Sequence, residues 1–166
     1  MKAGVTPVYI VILVNIAVWF VLHMLGAWLA SRLPLERFYP DSLLYKTRPW
    51  EQEGLIYDKI FLVARWKKYL PDGATMFRGG FPKKHILAGR EPDYYDEFVK
   101  ETCRAELTHW IILFSAVLFF IWNDWIIAVW MIPYAAASNA PCIIAQRYNR
   151  PRILRYKVNL EKKYNL

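Results

Sequence analysis

Cysteine, histidine, glycine and charge are all sparse in this chain of 166 residues. Its two cysteines, Cys103 and Cys142, offer neither a disulfide framework nor zinc-ligand spacing. Only three histidines are present, which leaves few ligands for a histidine-based metal centre. Charged residues make up 22% of the chain against 56% hydrophobic, a balance that excludes general disorder. The excess of Lys and Arg gives a net charge of +8, which in a soluble protein would point to nucleic acid. No basic stretch interleaved with exposed aromatics accompanies it, so nucleic acid is not expected as a partner. Basic surface beside long apolar runs instead suits anionic lipid headgroups or a phosphate-bearing donor.

What is abundant is apolar sequence in runs. Pro7 to Ala30 contains no charged residue, which exceeds the roughly 20 residues needed to cross a bilayer. A single Lys2 before it and a Trp-rich continuation predict a retained anchor rather than a cleaved signal peptide. A second run covers residues 105–122 and a third covers 125–145, separated by "WND". So short a polar turn predicts an antiparallel hairpin, with Trp122 and Trp125 as interface anchors. The second run is short for spanning unless its charged first turn reaches the headgroups, which the long side chain of Arg104 permits.

Fourteen of the 22 Lys and Arg lie between Ser31 and Arg104, and seven follow Ala145. The positive-inside rule therefore puts the N-terminus outside and both the middle region, 31–104, and the tail, 146–166, in the cytoplasm. Leu55 to Leu70 predicts an amphipathic helix lying at the interface, stopped by Pro71 and Gly73. "MFRGGFPKK" predicts a turn or a short re-entry of aromatics into the headgroups. Pro92 followed by acids predicts a helix start, and that helix can run on through "CRAELTHW" into the second apolar run. The expected fold is an all-α integral membrane protein, one membrane domain over residues 1–166. It has three transmembrane helices and an interfacial amphipathic helix in the long cytoplasmic middle region.

Candidate chemistry gathers at the inner face. Thr102, Glu106 and His109 stand at i, i+4 and i+7 and share one helix face, while Arg104 points away as an interface anchor or headgroup contact. His109 can serve as a general base toward an attacking hydroxyl, with Glu106 orienting the imidazole. The same pair can instead tie two helices together. The Glu-x-x-His spacing also raises a metal reading. It lacks further ligands, because His23 lies within the first apolar run, and no metal is expected. His85, in "FPKKHILAGR", reads as a second base, a phosphate contact or a turn residue, and Lys83 and Lys84 beside it form an anionic-ligand surface. Ser138 and Asn139 either satisfy backbone groups loosened by Pro141 or hydrogen-bond across the bundle. Pro133 and Pro141 predict bends. Gln146, Arg147, Tyr148, Asn149, Arg150 and Arg152 emerge on the inside face, either to recognise phosphate, sugar or carbonyl groups or to cap the bundle.

"RAELTHWI", Arg104 to Ile111, and "QRYNRPR", Gln146 to Arg152, resemble the glycosyl-4,4'-diaponeurosporenoate acyltransferases, small membrane proteins associated with the final acylation of the staphylococcal carotenoid staphyloxanthin. A weaker echo lies in "RWKKYLPDG", Arg65 to Gly73. Ile153 stands where the similar stretch carries leucine after "RPR", and Cys142 replaces an aliphatic residue. The resemblance implies transfer of a fatty acyl group to a sugar hydroxyl of a glycosylated carotenoid or related glycolipid, in a bacterial cell membrane. It aligns His109 and Glu106 with the motif's histidine and glutamate, and Arg104, Gln146, Arg147, Tyr148, Asn149 and Arg150 match directly. No tightly bound cofactor is implied. Acyl-CoA, acyl-carrier protein or phospholipid are the possible donors, and membrane lipids and other pathway enzymes the possible partners. The alternative is a non-catalytic lipid-binding or accessory protein of lipid or pigment biosynthesis.

Overall fold

The computed structural model describes residues 7–70 and 92–164. All regular structure among them is helical. Helix α1 spans Val8–Arg32. The middle region holds short 3-10 turns and two short helices, α2 at Leu55–Phe61 and α3 at Val63–Trp66. Helix α4 spans Pro92–Phe114 and continues as a 3-10 segment over Ser115–Ile121, and α5 spans Trp125–Tyr164. Three stretches, Val8–Arg32, Pro92–Ile121 and Trp125–Tyr164, are long and apolar enough to cross a membrane. The protein is a multi-pass membrane protein, with the short helices of the middle region suited to an interface.

Two compact units divide the chain, one of Met1–Leu33 with Leu107–Ile143 and one of Pro34–Glu106 with Ile144–Leu166. In the first unit α1 is apolar all round, so hydrophobicity alone cannot choose its packing face. Its buried residues are Val11, Asn15, Trp19, Gly26 and Ala30, a stripe at steps of four and seven. The approach is close at Gly26, where a Cβ would lie 3.0 Å from Ile112 Cγ1. Small residues at such a crossing let helices approach closely where water supplies no driving force. Trp19 stacks on Phe119 with ring centres 4.5 Å apart and donates its indole N–H to Met131 Sδ at 3.4 Å.

The expected shortness of the second span has a structural remedy. Ser115 Oγ donates to the Ile112 carbonyl, and the helix tightens to 3-10 geometry for seven residues. At 2.0 Å per residue this segment, with residues 105–114 in α geometry, rises about 29 Å in all, close to the hydrocarbon thickness of about 30 Å. The threefold repeat also eclipses positions three apart, and Ala116, Phe119 and Trp122 all pack into the core around Trp19. Trp122 is thus turned inward, unlike the exposed Trp125. Its indole N–H and the Asn123 amide donate to Asn15 Oδ1 at 2.9 and 3.0 Å, and Asn15 Nδ2 donates to Asn123 Oδ1 at 3.1 Å.

In the second unit the expected single helix over Leu55–Leu70 is divided. Leu62 adopts φ +53° and separates α2 from α3, a conformation that costs a non-glycine residue about 1–2 kcal/mol. The break is held by the Asp58 carboxylate, which accepts from the Ala64 N–H at 2.8 Å, and by the Trp66 indole donating to the Phe61 carbonyl at 2.6 Å. A second strained turn precedes α2: Gln52, Glu53 and Gly54 all have positive φ, at 49°, 54° and 87°. Gly54 is required twice over, because a Cβ would also meet the Tyr148 carbonyl oxygen at 3.0 Å. Helix α5 runs unbroken through Pro133, Pro141 and Pro151, and its 40 residues extend about 60 Å, twice what a bilayer core needs. The turn expected in "MFRGGFPKK" lies outside the described residues.

Candidate functional site

The second unit encloses an ionic cluster. Glu51, on the strained turn, and Glu106, on α4, face Arg147 and Arg150 on α5. Arg147 donates from Nε to Glu106 Oε1 at 2.8 Å and from Nη1 to Glu51 Oε1 at 2.7 Å. Arg150 Nη2 donates to Glu106 Oε2 at 2.5 Å. The remaining guanidinium groups are also satisfied: Arg147 Nη2 by the Leu44 carbonyl, Arg150 Nη1 by the Tyr45 carbonyl, and Arg150 Nε by Thr102 Oγ1. Thr102 in turn donates to the Val99 carbonyl at 2.6 Å. Glu106 and Thr102 have no exposed surface, and Arg150 and Glu51 only 1%. Burying isolated charges here would cost several kcal/mol each, so neutrality of the four-residue cluster and full hydrogen bonding are what permit it.

Two tyrosines border this cluster. Burial, reinforced by the Glu106 carboxylate, raises the Tyr45 phenol to about 12. Burial and the Glu51 carboxylate raise Tyr57 to about 12 as well. Both phenols remain protonated donors at any physiological pH.

One turn further along α4, in the first unit, His109 Nδ1 lies 2.9 Å from Asn139 Oδ1. The amide orientation of Asn139 is fixed independently. Its Nδ2 donates to the Ala135 carbonyl and to Ser138 Oγ, each at 3.0 Å, and a carbonyl can only accept. Asn139 Oδ1 must therefore accept from His109 Nδ1–H, and the neutral imidazole carries its lone pair on Nε2. Asn139 is fully buried and His109 half-buried. Of the two roles expected for Asn139, it performs the bond across the bundle, while Ser138 Oγ bonds back to the Ala135 carbonyl.

The other expected site residues are distributed as follows. Arg104 pairs with Glu101 on its own helix. Tyr148 is buried against Lys67 and Arg152, and Asn149 Oδ1 accepts from Lys67 Nζ at 2.6 Å. The buried Gln146 Oε1 has no hydrogen-bond partner among the described residues. Glu106, Arg147 and Arg150 come together, as do His109 and Asn139. His85, Lys83 and Lys84 lie outside the described residues. Among the described residues no three His, Cys, Asp or Glu side chains converge as metal ligands. Sequence reading missed Glu51. The available signal was charge: two arginines leaving an apolar helix need more than the single carboxylate of Glu106. The first unit also contains an open, largely apolar cavity of about 610 Å³, lined by Val11, Ile12, Trp19, Phe20, Met131 and Tyr134 among others.

Three apolar helices, a buried ionic cluster and an amide-oriented histidine define a multi-pass membrane protein built around polar chemistry. A family model described as glycosyl-4,4'-diaponeurosporenoate acyltransferase matches residues 40–158. The chain is 33% identical over 135 residues, 81% of each chain, to the glycosyl-4,4'-diaponeurosporenoate acyltransferase of Staphylococcus aureus strain bovine RF122 / ET3-1. It is 31% identical over 145 residues, 87% of each, to the protein of that name from strain Newman. The chain belongs to the glycosyl-4,4'-diaponeurosporenoate acyltransferase family. No solved structure matches it significantly.

Proposed function

We propose that this protein transfers a fatty acyl group to a sugar hydroxyl of a glycosylated carotenoid or related glycolipid at the inner face of the membrane. The distribution of Lys and Arg supports an N-terminus outside and a C-terminus in the cytoplasm. The observation that carries the reading is the Asn139–His109 hydrogen bond. It selects the tautomer in which Nε2 can take a proton, the role an orienting amide plays for a catalytic histidine. Nε2 removes the proton of the acceptor hydroxyl as its oxygen bonds to the donor carbonyl carbon. The tetrahedral intermediate then expels the donor's leaving group, which takes the proton back from the imidazolium. Glu106, clamped by two arginines, fixes the turn of α4 immediately before His109 and acts as a positioning residue. The cavity of about 610 Å³ has the size and apolar lining for the hydrocarbon part of a substrate. His85, Lys83 and Lys84 are assigned to the donor side. The donor is an acyl-CoA, an acyl-carrier protein or a phospholipid, and other enzymes of the pathway are the natural partners.

The test is acyl-product formation by purified protein supplied with glycosylated carotenoid and each donor class. The wild type forms product with at least one donor, and His109→Ala falls by about 10²–10⁴-fold. Absence of product with every donor, or equal turnover by the variant, overturns the reading in favour of a lipid-binding accessory protein.

A further inference from the structure

Four arginines project from α5: Arg147, Arg150, Arg152 and Arg155. Arg147, Arg150 and Arg155 have carboxylate partners, whereas Arg152 has none within salt-bridge distance among the described residues. Arg152 lies instead with its guanidinium carbon 4.9 Å from the centre of the Tyr148 ring. Lys67, from the turn after α3, places Nζ 4.9 Å from the centre of the same ring and also lacks a carboxylate partner among the described residues. The two cations are thus at most about twice that distance apart; Arg152 is exposed, and Lys67 is held by a hydrogen bond. Tyr148 is buried, and Asn149 Oδ1 accepts from Lys67 Nζ at 2.6 Å.

Each cation is attracted by the ring, while the two repel one another. Lys67 is half-buried, and its pKa is lowered first by burial and next by the charge of Arg152, against a smaller opposing pull from Asp58. Asp58 is itself engaged by the Ala64 N–H. Among the described residues, two like charges, one partly removed from water, lie on one ring with no carboxylate in salt-bridge contact with either. An anion bound by both would offset the repulsion and the desolvation of Lys67.

We propose that Lys67, Arg152, Tyr148 and Asn149 form a binding site for a phosphate ester. The donor set fits this ligand: Arg152 offers a planar fork of N–H groups, Lys67 a point charge, and Asn149 an amide N–H₂ group left over from its contact with Lys67. A soluble nucleotide thioester and a phospholipid headgroup share this chemistry. Assigning the phosphate to the acyl donor rests on the acyl-transfer reading. Binding itself does not, and it is measured without turnover.

The experiment uses the full chain with two probes. Coenzyme A is titrated onto protein in uncharged detergent, and anionic phospholipid retained after detergent exchange is counted by native mass spectrometry. Lys67→Met and Arg152→Gln should each weaken the bound probe by about tenfold or more, while Lys67→Arg stays within about threefold. Loss confined to coenzyme A assigns a soluble phosphate ester, and loss confined to phospholipid assigns a headgroup. Either supports the site. The wild type alone gives an independent check, since the bound probe must raise its thermal midpoint above that in chloride of equal ionic strength. No such stabilisation by either probe, or unchanged binding in both neutral variants, overturns the proposal.

Discussion

The two compact units treat polarity in opposite ways. Among its described residues the first unit has only two charged side chains, Arg32 and Asp124, and its interior polar bonds are between neutral groups. Asn15 meets Trp122 and Asn123, Trp19 meets Met131, and His109 meets Asn139. The second unit is organised around ionised groups, with Glu51, Glu106, Arg147 and Arg150 all buried or nearly so. The change occurs within single helices. On α4 the last charged residue is Glu106, and the unit boundary follows it; on α5 the boundary falls three residues before Arg147. The contrast teaches that the chain satisfies buried polar groups in two ways. Where the surroundings are hydrocarbon, ionisation is too costly, and neutral amides and indoles link the helices. Where headgroups and water are near, charge can be buried if it is paired.

That contrast can be broken by measurement. Arg150→Met leaves Glu106 with one cation, Tyr45 and Thr102 without their donor, and a carboxylate with no exposed surface. It should destabilise the protein by about 3–5 kcal/mol, read from denaturant unfolding in micelles. Asn15→Ala removes the acceptor of two neutral hydrogen bonds in the first unit and should cost only about 0.6–1.7 kcal/mol by the same measurement. Equal losses would mean that the two units are not stabilised in different ways.

Much of the architecture was legible in the sequence. Apolar run length identified the three spans, the "WND" turn gave the hairpin, and Pro92 marked the start of a helix that runs on into the second span. What was not legible depended on contacts distant along the chain or on local strain. Leu55–Leu70 has a helical pattern throughout, and only the tertiary setting makes Leu62 left-handed. Periodicity reports neighbours within two turns, so it found Thr102, Glu106 and His109 on one face. It could not find Glu51, 96 residues from Arg147, or pair His109 with Asn139 across 30 residues. Residue type alone suggested Arg147 and Arg150 as ligand contacts, and sequence does not reveal how many of their guanidinium donors are engaged within the protein. Lys67 and Arg152 could not be brought together from sequence for the same reason: 85 positions separate them, and only the fold sets both on the Tyr148 ring.

The account rests most heavily on Asn139 acting through His109, which a double-mutant cycle on the acyl-transfer rate tests directly. Rates are measured for the wild type, Asn139→Ala, His109→Ala and the double variant, each normalised to folded protein. The account predicts that Asn139→Ala slows the wild type by about 10-fold or more yet leaves the residual rate of His109→Ala unchanged. An equal fall in both backgrounds, or no fall in either, would contradict it.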